Sequence, residues 1–129
     1  MGTLKNTINK LREELDAIII YRKIDYKGLA IIPLKIVIVC TNLSKKEEEQ
    51  VILHELEHIK KNHGKNSYAS PIHYYKQEAE AEHGRISADI EHYITNTPKE
   101  YWNTFNFLGY FGISSEFESY VDEQFNRYK

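Results

Sequence analysis

Cysteine, long apolar runs and an excess of charge of one sign are all scarce in this chain of 129 residues. The single cysteine, Cys40, excludes an internal disulfide and a cysteine-based metal site. No apolar stretch is long enough to span a membrane, and the N-terminus lacks the apolar core of a signal peptide, so we expect a cytoplasmic protein. A net charge of −2 gives no electrostatic case for direct nucleic-acid binding.

The remaining composition is that of an ordinary globular protein. Hydrophobic residues make up 41% of the chain and charged residues 28%. We found no repeat, low-complexity tract or linker. A chain of this length can bury one core, so the sequence predicts a single domain over residues 1–129.

The pattern of apolar residues predicts an α+β fold with a helical C-terminal half. A helix is expected over residues 3–15 with Thr3 as its N-cap, followed by three short β-branched runs. Their short connections favour an antiparallel sheet of about three strands, packed on the helices. The runs lie at 17–22, 28–32 and 35–41.

Four further helices are predicted from capping signals. The first begins near Lys45 after the capping box of Ser44 and Glu47, and runs to His63 with Gly64 as its stop. After a loop over 64–73, the others are a long helix over 74–95, one over 99–108 opened by Pro98, and a last one opened by a capping box of Ser115 and Glu118.

The run HELEH lies within the helix that begins near Lys45. At about 100° per residue, His54 and His58 lie about 40° apart and can bind one metal ion, while Ile52, Leu56 and Ile59 form a separate core stripe. Glu55 lies beside the histidine face, where a general base could take a proton from the attacking water. An amphipathic helix with ordinary solvated residues explains one histidine well, but two matched histidines with this glutamate poorly.

The next helix supplies candidates for a third ligand, because a catalytic zinc needs three protein ligands and one open position. Glu78, Glu82, Arg85 and Asp89 share one helix face. Glu78 is the candidate ligand, and Glu82 could accept a hydrogen bond from a ligand histidine. The alternative is a surface acidic patch paired with Arg85, and spacing alone does not decide between the two.

These motifs resemble the phage and mobile-element branch of the ImmA/IrrE metallopeptidases. The resemblance depends on HELEH, on the downstream pattern KQEAEA at 76–81, and on the order of helix, strands and acidic helix start before them. The stretch LGYFGISSEFESYV at 108–121 is also similar in style. The similarity thus covers nearly the whole chain.

The resemblance implies a zinc-dependent endopeptidase whose HExxH helix packs in the core under a short sheet. It implies zinc ligands at His54, His58 and Glu78, and Glu55 as the catalytic base. Its implied substrate is a repressor encoded on the same phage or mobile element, cleaved in the cytoplasm of a bacterial host so that transcription is derepressed. Two departures are Glu57 in place of the usual glycine, and His83-Gly84 after Glu82; we take Gly84 as a sign of close packing against the HELEH helix.

The transition state needs a further hydrogen-bond donor, and spacing does not select one. The candidates lie in or near the loop between the two long helices: Tyr68, His73, Tyr74 and Tyr75. The remaining histidines have simpler explanations. His63 suits a helix C-terminus, His83 a packed or half-exposed position, and His92 ordinary surface.

Two other functions stay open at this point. One is a catalytically silent binding module that acts as an anti-repressor by contact. Its interface could be made from aromatic residues between 102 and 111, although the role we favour for these aromatics is closing the core. The other is a toxin–antitoxin component. The oligomeric state, the activating signal and the cleavage site cannot be inferred from the sequence.

Overall fold

The computed structural model describes residues 3–62 and 71–128, and for residues 71–75 the backbone alone. It confirms the α+β class and the helical C-terminal half. The elements are α1 (Leu4–Leu15), β1 (Ile18–Arg22), β2 (Gly28–Ile31), β3 (Ile36–Cys40), α2 (Lys45–Lys60), α3 (Pro71–Asn96), α4 (Thr104–Phe111) and α5 (Glu118–Arg127). Short 3-10 turns occupy Ile32–Leu34, Lys99–Tyr101 and Ser115–Phe117.

The sheet is mixed, so the predicted antiparallel arrangement is wrong. The strand order is β1-β3-β2; β2 and β3 form an antiparallel pair, but β1 lies parallel to β3. The most buried strand takes the middle, since Val37 and Val39 are fully buried. The connection from β1 to β2 therefore passes the end of β3, where Cys40 N–H donates to Lys27 O and Thr41 N–H to Arg22 O. Cys40 is buried.

Several helix boundaries differ from the prediction. Helix α2 ends at Lys60 because Asn62 adopts the left-handed conformation that ends helices, before the predicted stop at Gly64, which lies outside the described residues. Helix α3 begins at Pro71, because proline suits the first turn of a helix. Residues 71–73, which were predicted to belong to the loop, are therefore helical.

The C-terminal helices are displaced relative to their predicted starts. Pro98 opens only a 3-10 turn, and α4 begins after Asn103, whose side chain accepts from Asn106 N–H. The cap before α5 is Ser114 rather than Ser115, and a 3-10 turn precedes the helix. By contrast, the N-caps predicted at Thr3 and Ser44 are confirmed.

Helix α2 is at the centre of the packing. It contacts α1, α3, β2 and β3, and its Leu53 and Leu56 are fully buried in the core. Helix α3 crosses it, and α4 and α5 close the far side of α3 with Phe107, Val121 and Phe125. None of the helices in the described ranges is long and apolar enough to cross a bilayer.

Candidate metal centre

The local sequence sets which face of α2 carries the histidines. Ser44 accepts from Glu47 N–H at 3.2 Å and fixes the start of the helix directly after β3. From this start the apolar positions meet the core, and His54 and His58 fall on the side that faces α3. His58 is buried and His54 is mostly buried, so both rings are largely withdrawn from solvent.

Two histidine nitrogens and one carboxylate converge between α2 and α3. His54 Nε2 lies 3.1 Å from His58 Nε2. Glu78 Oε1 lies 3.3 Å from His54 Nε2, and Glu78 Oε2 lies 2.6 Å from His58 Nε2. The three residues can each offer one ligand atom within 4.8 Å of the others.

This donor set fits a zinc ion. Zinc binds histidine nitrogen and carboxylate oxygen at about 2.0–2.2 Å in tetrahedral geometry, which separates the donors by about 3.3 Å. The 3.1 Å between the two Nε2 atoms and the 3.3 Å from Glu78 Oε1 to His54 Nε2 are close to that value, whereas the 2.6 Å from Glu78 Oε2 to His58 Nε2 is a hydrogen-bond distance. Three ligands also leave a fourth position open, as a catalytic site requires.

Glu82 is hydrogen-bonded to Nδ1 of His54, the ring nitrogen that does not face Glu78 and His58. Its Oε1 lies 2.6 Å from His54 Nδ1, so the ring donates from Nδ1 and its Nε2 is directed at Glu78 and His58. Burial lowers the pKa of His54, but the carboxylates of Glu78 and Glu82 outweigh it and raise that pKa to about 9. Burial likewise opposes ionisation of Glu82, but His54 and Arg85 bring its pKa down to about 2.

Glu55 lies beside this cluster on the wall of a groove of about 600 Å³. Burial raises the pKa of the Glu55 carboxyl, while His54 and His58 oppose the rise. The groove has α2 and α3 as its floor, the start of β2 on one side and the end of α4 on the other. Its lining includes Gly28, Val51, His54, Glu55, Glu82, Arg85, Tyr110 and Gly112.

Gly28 sets how closely β2 approaches α2 at this point, and sequence reasoning missed it. A Cβ at Gly28 would overlap Val51 Cγ1 and lie 3.4 Å from Glu55 Cγ. The glycine was visible in the sequence only as a turn residue. Its role depends on a contact between two distant segments, which a turn signal does not report.

A buried polar network extends the site beyond Glu82. Glu82 pairs with Arg85, as the alternative of an acidic patch predicts, but the network itself does not lie at the surface. Arg85 and Asp89 are buried, at 6% and 0% exposure. Arg85 Nε donates to Glu82 Oε1 at 3.0 Å, and Gln50 Nε2 donates to Asp89 Oδ1 at 3.0 Å. Arg85 Nη1 also donates to Gln50 Oε1, so α2 and α3 are joined by side-chain hydrogen bonds.

Asp89 ends this network in the core. Burial raises the pKa of its carboxyl to about 7, although Gln50 and Arg85 act in the opposite direction. Its Oδ2 lies 3.7 Å from Arg85 Nη1 and has no hydrogen-bond partner among the described residues. An oxygen of this kind suits the protonated form of the carboxyl.

Other predicted residues fall away from the cluster or outside the described side chains. His83 stacks on Tyr120 with ring centroids 4.2 Å apart, so it is packed as expected. His92 is half-buried against Phe111 instead of lying at the surface. His63 and Tyr68 lie outside the described residues, as do the side chains of the other three candidate donors, His73, Tyr74 and Tyr75.

The C-terminal aromatic residues divide between core and surface. Phe107 and Phe111 are buried, whereas Phe105 and Tyr110 are 69% and 59% exposed. Trp102 is half-buried and stacks on Phe125. Each of the two predicted roles, closing the core and making an exposed aromatic surface, therefore has residues available for it.

Comparison of the chain with protein-family models, curated proteins and solved structures gives no match. The site is accordingly judged on its own geometry.

Proposed function

We propose that this protein is a zinc-dependent endopeptidase of the ImmA/IrrE type that cleaves a repressor of a phage or mobile element. The observation that carries the proposal is the convergence of His54, His58 and Glu78 within 4.8 Å, with His54 and Glu55 lining one groove. A structural metal site has no need for a free carboxylate beside it or for a groove leading to it. The arrangement thus favours hydrolysis over a purely structural ion.

The three ligands would hold the ion, and zinc, when bound, polarises a carbonyl and lowers the pKa of water. Glu55 takes a proton from the attacking water and passes it to the leaving amine. Its raised pKa suits this role, because a base works best when its pKa approaches the operating pH. Glu82, by accepting from His54 Nδ1, would leave Nε2 as the nitrogen that gives up its proton and binds the ion.

A protein segment is the substrate that fits the groove. The described part of β2 pairs only with β3, and Gly28 at its start lines the groove beside Glu55. An extended peptide can add to such an open edge through main-chain hydrogen bonds. A repressor with an exposed extended segment is the substrate class that the resemblance and the groove favour together.

The test is Glu55→Gln, which keeps the size of the side chain and removes the base. We expect this variant to bind zinc as the wild type does and to lose cleavage of the repressor encoded beside it, by at least about 100-fold. Full cleavage by Glu55→Gln would refute the mechanism. His83→Ala is the control, since His83 packs on Tyr120 away from the ligands and should leave cleavage unchanged.

The exposed rings of Phe105 and Tyr110 favour a second function, a binding module that captures the repressor without cutting it. Binding that survives His54→Ala, together with no cleavage by the zinc-loaded wild type, would support this alternative. The two functions are separated by product analysis of the repressor after incubation with the wild-type protein.

A further inference from the structure

The Arg85 guanidinium forms hydrogen bonds to Glu82 and also to groups on α2 and at the end of α4. Its Nε donates to Glu82 Oε1 at 3.0 Å and its Nη2 to Glu82 Oε2 at 3.3 Å, so the guanidinium engages both carboxylate oxygens. Such a forked contact fixes the orientation of a carboxylate, which a single point charge does not. The plane of Glu82 is thus set by Arg85.

The orientation of Glu82 in turn decides where His54 points. Glu82 Oε1, the oxygen that Arg85 Nε holds, is the same atom that lies 2.6 Å from His54 Nδ1. A carboxylate free to rotate would move this acceptor and release the ring. The contacts therefore form a chain from Arg85 through Glu82 to His54.

The other nitrogens of Arg85 reach the groove wall. Nη1 donates to Phe111 O at 3.2 Å and Nη2 lies 3.4 Å from Gly112 O, both at the end of α4. Gly112 adopts φ 64° as the C-cap, and carbonyls at such a helix end lack partners within the helix. Nη1 also binds Gln50 Oε1 on α2. One buried guanidinium thus joins α2, α3 and the end of α4.

We infer that Arg85 is a positioning residue of the metal centre: through Glu82 it fixes the ring of His54, and through Phe111 and Gly112 it sets the adjoining groove wall. This inference concerns the same site as the proposed function, and its zinc readout rests on that function. The hydrogen bond of His54 Nδ1 does not depend on zinc, so it gives an independent readout.

The experiment compares Arg85→Lys with Ile86→Ala in the full chain. Lysine keeps the positive charge but cannot donate to both oxygens of Glu82. Ile86 is fully buried on the same helix, so Ile86→Ala disturbs the core and leaves the hydrogen bonds of Arg85 in place. The first readout is the nitrogen-15 spectrum of the histidine rings in the metal-free protein. The second is the dissociation constant for zinc alone, measured by competition with a chelator.

We expect Arg85→Lys to change the His54 Nδ1 resonance and to weaken zinc binding by about 10- to 100-fold, as loss of an outer hydrogen bond to a metal ligand does. Ile86→Ala should lower the melting temperature and leave both readouts as in the wild type. If Arg85→Lys alters only the melting temperature, the residue is merely structural and the inference is wrong.

Glu82→Gln provides a second route that leaves Arg85 in place and is needed if Arg85→Lys does not fold. It should shift both the Arg85 Nε–H and the His54 Nδ1 resonances, and an unmoved Arg85 resonance would overturn the inference. In the double variant the loss of zinc affinity should not exceed that of the stronger single variant, because both changes break one chain of contacts. If the wild type binds no zinc while the variants still shift the His54 resonance, the proposed function is refuted and the role of Arg85 in positioning the His54 ring stands.

Discussion

Gly84 lies against the side chain of Glu57 where α3 crosses α2, and a Cβ at Gly84 would come within 2.7 Å of Glu57 Cγ. Glu57 is buried at this crossing, at 6% exposure, and its Oε2 lies 3.8 Å from Lys61 Nζ. Glu57 and Gly84, two residues at which the sequence departs from the pattern that it resembles, therefore form one contact. The large residue between His54 and His58 on α2 is matched by the smallest residue on α3, which keeps the two helices close.

This contact predicts that Gly84→Ala destabilises the protein, by about 1–3 kcal/mol, because the added methyl group overpacks the crossing. Glu57→Ala in the same chain should recover most of the loss, since it removes the atoms that clash. Urea unfolding of the two single variants and the double variant measures this coupling.

A matched control for that series is Gly109→Ala in α4, where a Cβ would meet no atom within 4 Å. Alanine is the better helix former by about 1 kcal/mol, so this variant should be neutral or more stable. Equal losses for Gly84→Ala and Gly109→Ala would contradict the packing explanation.

Metal content is expected to follow the ligand assignment. The wild type should bind about one zinc ion per chain, and His54→Ala, His58→Ala and Glu78→Ala should each lose it or bind it far more weakly. His92→Ala removes a histidine outside the cluster and should keep the metal. Elemental analysis after removal of excess zinc is the measurement, and zinc retained by all three ligand variants would exclude this site.

The buried carboxyl of Asp89 predicts a fall in stability as the pH rises. In the folded state its pKa is about 7 against an ordinary value of 3.8, so between these values the folded chain holds a proton that the unfolded chain has lost. Stability therefore decreases as the pH rises through this window. Asp89→Asn keeps an acceptor for Gln50 and cannot ionise, so it should remove this decrease and be the more stable protein at pH 8.

The measurement is the free energy of unfolding in urea for both proteins between pH 5 and pH 8. If this free energy depends on pH in the same way in both, Asp89 does not titrate in this window.

The groove wall offers a test that separates binding from folding. Tyr110 lines the groove and is largely exposed, with Lys46 Nζ 3.8 Å from the centre of its ring. We expect Tyr110→Ala to raise KM for the repressor several-fold with little change in kcat or melting temperature, because it removes contact area remote from the reacting atoms. Phe105→Ala, at an exposed ring outside the groove lining, should leave KM unchanged. If Phe105→Ala raises KM and Tyr110→Ala does not, the substrate contacts α4 on the side of Phe105 and not in the groove.

The sequence predicted the parts of this molecule that depend on local patterns. The histidine face of α2 and the caps at Thr3 and Ser44 follow from residues a few positions apart. Helical periodicity on α3 predicted that Glu82 could accept from one of the two histidines, and the structure shows that this histidine is His54. The sheet could not be obtained in this way, because the choice of β3 as the middle strand depends on which strand the helices bury most deeply. The burial of Arg85 and Asp89 could not be predicted for the same reason, because it depends on Gln50 of α2 and, for Arg85, on the end of α4.

The strand order has a consequence for the way the chain folds. In the β2–β3 pair, Ile31 and Ile36 are only five positions apart, whereas the β1–β3 pair joins Ile18 to Ile36 across 18 positions. Closing the longer loop costs about 1 kcal/mol more in chain entropy, and it gains its contacts only once β3 offers a formed edge. The hairpin should therefore form first and recruit the neighbouring α2. We expect strand β1 and helix α1 then to join a nucleus that already carries His54 and His58, so the N-terminal segment should be the last to pack on α2.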